Sequence, residues 1–189
     1  MDIAYWFPIS VGLAKNTKVD NDQLRDYCLK LRERNPSGGI NWLNKSTYNT
    51  ECTYSLLKDK TFSPINKWVE KQVNIYAKEL KFSDHYKIKD GWFSLYGKGD
   101  SQEFHTHPGH TFSCVYCISA PPDSSHLVLQ SPNEPDMVNP RIDEWNNINA
   151  LVCNYEAVVG RLIIFRSYVR HYVPPNKGDG PRITLAYNV

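Results

Sequence analysis

"GRLIIFRSYVRH", residues 160–171, decides how this chain folds. The run from Leu162 to Phe165 is apolar enough to be a strand buried on both faces, and such a strand delivers its last residues to the mouth of a barrel. Runs of the same kind surround it: "GWFSLYG" (91–97), "TFSCVYCIS" (111–119), "HLVLQ" (126–130), "ALVCNYE" (150–156) and "RITLAYNV" (182–189), separated by Gly, Pro and Asn. Strands at roughly ten-residue spacing predict a β-sandwich or barrel for residues 86–189.

The first 85 residues have a different texture. "NDQLRDYCLKLRER" places Leu24, Tyr27, Cys28 and Leu31 at helical spacing and stops at "NPSGG", which predicts an amphipathic helix over 21–34. In "SPINKWVEKQVNIYAKELKF" the residues Ile65, Trp68, Val69, Val73, Tyr76 and Leu80 form one stripe, with Ser63 expected as the N-cap and Pro64 at the first helical position. The expected architecture is mainly β with flanking helices: one domain over 1–189, in which 1–85 is helical support packed on one sheet and 86–189 is the β core.

With 189 residues and 41% hydrophobic content the chain can bury one full core. A net charge of +2, with Lys and Arg scattered, makes no basic stripe for nucleic acid or an anionic membrane, which leaves a small molecule or a protein as the expected partner. No stretch reaches membrane-spanning length. The opening "MDIAYWFPISVGLAK" starts with an acid and is broken by Pro8, unlike a signal peptide. Five cysteines without framework spacing fit reduced thiols and a cytoplasmic location, and the Asn44 sequon matters only in a secreted chain. The Cys114–Cys117 pair reads as packing, because i and i+3 on a strand face opposite sides. A homodimer through the N-terminal helices is possible.

"EFHTHPGHTFSC", residues 103–114, holds three of the six histidines. On a strand, His105 and His107 would present both imidazoles to one face, a chelating arrangement, whereas the direction of His110 beyond Pro108 and Gly109 is open. His85 and His126 flank strands and read as structural; Trp92 and Phe93 read as core or pocket wall. Arg182 opens the last strand with Thr184 on the same face. A buried guanidinium requires an anion, and its planar fork suits a carboxylate, whereas at the surface the same residue would pair with Asp179 or Glu144.

Gly99 before His105 and Gly160 before His171 are spaced as in the two motifs of cupin and double-stranded β-helix folds, without the acidic ligand that cupins often carry after H-x-H. More closely, "FHTHPGHTFSCVYCIS", "GRLIIFRSYVRHYVPP" and "RITLAYN" resemble an iron(II)/2-oxoglutarate-dependent oxygenase family of bacteria and tailed phages. Its core reads roughly H-x-H-P, S-G-x-Y-Y, G-x-L-x-x-F-P-S-x-x-x-H-x-V-x-P and R-x-S/T-x-x-x-N. The likeness covers about residues 88–189, and "YWFPI" (5–9) is similar to the family's opening strand. Two positions depart from the pattern: Arg166 stands in place of Pro and Cys114 in place of Gly.

The resemblance implies a jelly roll in which His105, His107 and His171 are the catalytic metal ligands. His107 would occupy the place usually held by a carboxylate, which makes the site more cationic and suits a dianionic cosubstrate. It also implies that Arg182 holds the distal carboxylate of 2-oxoglutarate, helped by Thr184 and by the hydroxyl of Tyr116, with Asn188 either lining the pocket or satisfying a backbone group. Arg166 would lie at the pocket mouth or in solvent. The implied cofactors are Fe(II) and 2-oxoglutarate, and the implied reaction is hydroxylation or desaturation of a peptide or small molecule, since a third protein ligand leaves no place for a halide. Two alternatives stay open at this point: a three-histidine cupin-type enzyme that does not use 2-oxoglutarate, and a jelly-roll binding module without catalysis.

Overall fold

Strands whose two faces are both apolar need a covering layer on each side, and the chain supplies both layers. The computed structural model describes residues 1–5, 7–133, 138 and 140–189. Its elements run β1 (Gly12–Lys15), α1 (Asn21–Arg34), β2 (Tyr48–Asn49), a 3₁₀ turn (Lys60–Phe62), α2 (Ser63–Glu79), β3 (Asp90–Tyr96), β4 (Gln102–His105), β5 (Phe112–Ser119), β6 (Leu127–Gln130), β7 (Val152–Tyr155), β8 (Arg161–Arg166), β9 (His171–Val173) and β10 (Arg182–Asn188).

A six-stranded sheet has the order β1-β8-β5-β10-β3-β2, and a four-stranded sheet the order β4-β9-β6-β7, each antiparallel throughout. Along β8, Leu162 and Ile164 join the core that includes Leu24, Cys28 and Leu31 of α1 and Ile65, Val69 and Val73 of α2. Ile163 and Phe165 join a second core with Leu127, Leu129 and Val173 of the small sheet. The large sheet is thus the middle of three layers, with helices on one side and the small sheet on the other, and the two sheets form the expected jelly roll.

Both helices form where their apolar stripes predict. Asp20 caps α1, its side chain accepting the Gln23 backbone N–H at 2.9 Å. The start of α2 differs from expectation: Ser63 makes no capping bond, because the 3₁₀ turn runs directly into the helix. The cap moves upstream to Asp59, whose carboxylate accepts the Thr61 backbone N–H at 2.8 Å. No described helix is long and apolar enough to cross a membrane.

The opening strand also lies elsewhere than expected. Tyr5 and Phe7–Ile9 form no strand, and Trp6 lies outside the described residues. The strand that starts the sheet is β1, which pairs with β8 from Gly12↔Ile164 to Lys15↔Arg161. With β2 on the opposite edge against β3, residues 1–85 contribute two edge strands as well as the helices. Gly12 is required by packing, since a Cβ there would lie 2.9 Å from the Tyr76 ring.

Candidate metal centre and cosubstrate pocket

In the small sheet β4 and β9 are neighbours, and their register sets His105 directly opposite His171. The two ring centroids are 4.1 Å apart. His107 lies past the end of β4, so strand parity does not place it as the sequence suggested. Its backbone N–H instead donates to the carbonyl of Ser167 at 3.1 Å, which brings the turn after β4 against the end of β8. Its ring centroid then lies 4.9 Å from that of His105 and 5.1 Å from that of His171. Nitrogen atoms of the three rings lie within 4.8 Å of one another, the one such grouping among the described residues. His110 stays outside it, with Nε2 at 3.8 Å from a carboxylate oxygen of Asp90.

The hydrogen bonds choose the tautomers. Nδ1 of His105 faces the Glu103 carbonyl at 2.8 Å, and Nδ1 of His171 faces the Val169 carbonyl at 3.0 Å. A carbonyl can only accept, so each Nδ1 carries the proton and each Nε2 keeps its lone pair. Burial holds all three rings below the usual imidazole range. For His105 the Glu103 carbonyl opposes the shift in part; His171 is lowered further by the neighbouring His105; and His107, beside His105 and His110, is pushed down to about 4. Three neutral imidazoles suit iron, as they suit zinc, copper or nickel.

This burial has a consequence for stability. The unfolded chain takes up protons on these rings below about pH 6.5, the ordinary imidazole value, while the folded chain takes them up only at lower pH. The contribution is complete above that pH and is lost as pH falls toward the folded values. The urea midpoint of the metal-free protein should therefore drop steadily from about pH 6.5 to about pH 4.5. A flat midpoint over that range would show that the rings are not desolvated.

Beneath the histidines a narrow cavity of about 20 Å³ extends to Arg182. Arg182 opens β10 opposite Tyr96 and is 2% exposed. Its Nε donates to the Ser125 carbonyl at 2.9 Å, and its guanidinium carbon lies 4.7 Å from the centre of the Tyr96 ring. Its Nη1 is buried without a partner, and among the described residues no carboxylate forms an ion pair with it. A desolvated cation in that state is costly unless an anion completes it. Thr184 lines the same cavity. The residues present therefore fit both groups: three clustered imidazoles for a metal, and an orphaned guanidinium for a carboxylate.

Two residues expected here are elsewhere. Tyr116 faces the helices, its hydroxyl donating to Asn21 Oδ1 at 2.8 Å and its ring meeting Trp68 edge-on at 5.9 Å. Both faces of β5 are buried, so hydropathy carries no sign of which one meets the pocket. Asn188 shares the parity of Arg182 but lies at the far end of β10, opposite Asp90 and Ser113, outside the cavity lining. Arg166 is not at the mouth either: it is packed on the helix side, its guanidinium carbon 5.1 Å from the centre of Phe82 and 5.4 Å from that of Tyr168. Cys114 and Cys117 are buried free thiols, as the packing reading expected, and Cys114 touches the cavity wall.

Tyr96 and Gln102 are among the pocket residues that the sequence did not single out. Tyr96 lies on the same face of β3 as Trp92, two pleats along, so parity with Trp92 was a usable signal. Gln102 carried none, because β4 is short and its register with β9 is irregular between Gln102 and His105.

Comparison with known proteins agrees with this geometry. A family model described as "Putative 2OG-Fe(II) oxygenase" matches residues 90–188, from β3 to β10. No curated protein matches the chain. Among solved structures, a prolyl-4-hydroxylase from Pseudomonas putida superposes with a TM-score of 0.62 at 15% identity, over 95% of this chain and 92% of that one. A viral collagen prolyl hydroxylase from Paramecium Bursaria Chlorella virus-1, solved with 2-oxoglutarate, gives 0.62 at 13% identity over 94% of each chain. A prolyl hydroxylase from Trichoplax adhaerens, in complex with a peptide fragment of the hypoxia inducible factor oxygen degradation domain, gives 0.62 at 15%, over 94% of this chain and 82% of that one. At these identities the likeness establishes the double-stranded β-helix fold. With over half its length matched by the family model, the chain belongs to the 2OG-Fe(II) oxygenase family, enzymes that work with iron(II) and 2-oxoglutarate.

Proposed function

We propose that His105, His107 and His171 hold iron(II), that Arg182 and Thr184 hold the distal carboxylate of 2-oxoglutarate, and that the enzyme hydroxylates a peptide or small molecule. The observation that carries this reading is the unpartnered Nη1 of Arg182, buried in the cavity that the three histidines close. A binding module without an anionic ligand would have no use for a desolvated cation at that depth, and a metal enzyme without 2-oxoglutarate would need a carboxylate on its own substrate to satisfy it.

When bound, iron(II) and 2-oxoglutarate would supply the oxidising chemistry with dioxygen as the oxidant, one of its oxygen atoms entering the substrate and the other the succinate formed with carbon dioxide from 2-oxoglutarate. The chain's own residues bind and orient. The Glu103 and Val169 carbonyls fix the tautomers of His105 and His171, so that both rings offer Nε2 without prior proton loss. The Ser125 carbonyl holds one edge of the Arg182 guanidinium and leaves the other toward the cavity, preorganised for a carboxylate. Trp92, against His107 at 5.7 Å, and Phe165, against His171 at 4.7 Å, exclude water from the ligand side. Because β1 and β2 complete the edges of the large sheet, residues 1–189 are proposed to act as one oxygenase unit.

Prolyl hydroxylases among the structural neighbours, one of them solved with a peptide, support a peptide substrate; the carbocyclase SnoK, with a TM-score of 0.68 at 8% identity, keeps a small molecule open. Anaerobic addition of Fe(II) and then 2-oxoglutarate is expected to produce a visible metal-to-ligand charge-transfer band. Well-folded protein that gives no band would reject chelation of 2-oxoglutarate. Succinate release above the substrate-free rate, measured with separate peptide and metabolite pools, then identifies the substrate class.

A further inference from the structure

Gln102 lies between the two halves of the pocket and touches both. Its Nε2 is 3.3 Å from Nε2 of His105, and its Oε1 accepts the Tyr96 hydroxyl at 3.2 Å. Since Nδ1 of His105 is committed to the Glu103 carbonyl, Nε2 of His105 is a bare acceptor and Gln102 is the donor. The phenol proton fixes the amide the same way round, because only the amide oxygen can accept it. Tyr96 in turn lies under the guanidinium of Arg182. Contacts therefore run without a break from the anion-binding arginine to the lone pair that a metal would use.

That lone pair serves one partner at a time. A metal held by His105 would need the lone pair that the Gln102 amide now faces. We propose that Gln102 is a positioning residue that couples the two cofactors: it covers His105 Nε2 in the metal-free enzyme, is displaced by the metal, and then donates its freed N–H to the metal-proximal carboxylate of 2-oxoglutarate. The inference rests on the assignment of the three histidines and Arg182 given above. Displacement leaves a half-buried donor without its partner, which weakens metal binding until an acceptor arrives. A carboxylate is the strongest acceptor available, and Tyr96 keeps the amide aimed at it by holding Oε1. Metal and cosubstrate should then strengthen each other's binding by the same factor, as linkage requires.

Calorimetric titration of the whole protein with Mn(II), a redox-stable probe, with and without 2-oxoglutarate tests this. Gln102→Leu, similar in size and without donors, is expected to bind Mn(II) alone about fivefold more tightly than wild type, and the Mn(II)-loaded variant to bind 2-oxoglutarate about tenfold more weakly, the worth of one hydrogen bond in each direction. Tyr96→Phe, which frees the amide to turn, should show smaller changes of the same sign. A gain in metal affinity distinguishes this role from structural support, whose loss could only lower it. Gln102→Met serves if the leucine variant does not fold. Unchanged or lowered Mn(II) affinity in a folded variant, or unchanged 2-oxoglutarate affinity, overturns the inference. Wild type that binds neither Mn(II) nor 2-oxoglutarate would instead overturn the functional assignment itself.

Discussion

Replacing His171 by alanine should empty the metal centre and reduce turnover below detection. Apparent affinities of structural metal sites, about 10–16 kcal/mol spread over four ligands, put each ligand at roughly 3 kcal/mol, or about a hundredfold in affinity. His171 has no substitute: it is 4% exposed, sits directly across from His105, and His110, the next imidazole along, lies outside the cluster beside Asp90. The same loss is expected for His105→Ala. His107→Asp should behave differently, because a carboxylate can take the same facial position on iron; partial activity and a retained charge-transfer band are expected. Metal content after anaerobic loading, together with succinate release, checks all three. Full iron occupancy in His171→Ala would show that the metal is held elsewhere.

Arg182→Met carries the second large effect. Removing one member of a buried, charge-assisted pair costs about 2–5 kcal/mol, so the dissociation constant for 2-oxoglutarate should rise by roughly 30- to several thousandfold. Iron affinity should stay within about threefold, since linkage through the cosubstrate disappears when none is present. The variant without cofactors should stay close to wild type in stability, because removal of a buried cation with one orphaned nitrogen offsets loss of the bond to the Ser125 carbonyl. Parallel iron and 2-oxoglutarate titrations, with a urea melt, give all three quantities. Equal losses of iron and 2-oxoglutarate would mean that Arg182 only supports the fold.

Much of this architecture is legible before any coordinates. The stripe of Leu24, Cys28 and Leu31 and the stop at "NPSGG" place α1 over Asn21–Arg34. The unbroken apolarity of "RLIIF" states that both faces of β8 are covered, as they are by helix residues on one side and the small sheet on the other. His105, His171 and Arg182 can be singled out from residue type and spacing alone. The short edge strands β1 and β2, and the strands β4 and β9 that carry histidines, are too brief to show a period against their loops.

What the chain by itself determined is the inventory: strands apolar on both faces, two amphipathic helices, three imidazoles and a guanidinium set to open a strand. Only the tertiary structure decided which tyrosine meets the pocket. Tyr96 and Tyr116 are both buried on strands of one sheet, β3 and β5 on either side of β10, and a sheet covered on both sides leaves no polar face to betray its orientation. It also decided how His107 arrives, through a backbone bond to Ser167 rather than through strand parity. Convergence of side chains far apart in sequence depends on strand register, and register is settled by packing energy summed over whole sheets, not by the residues that it brings together.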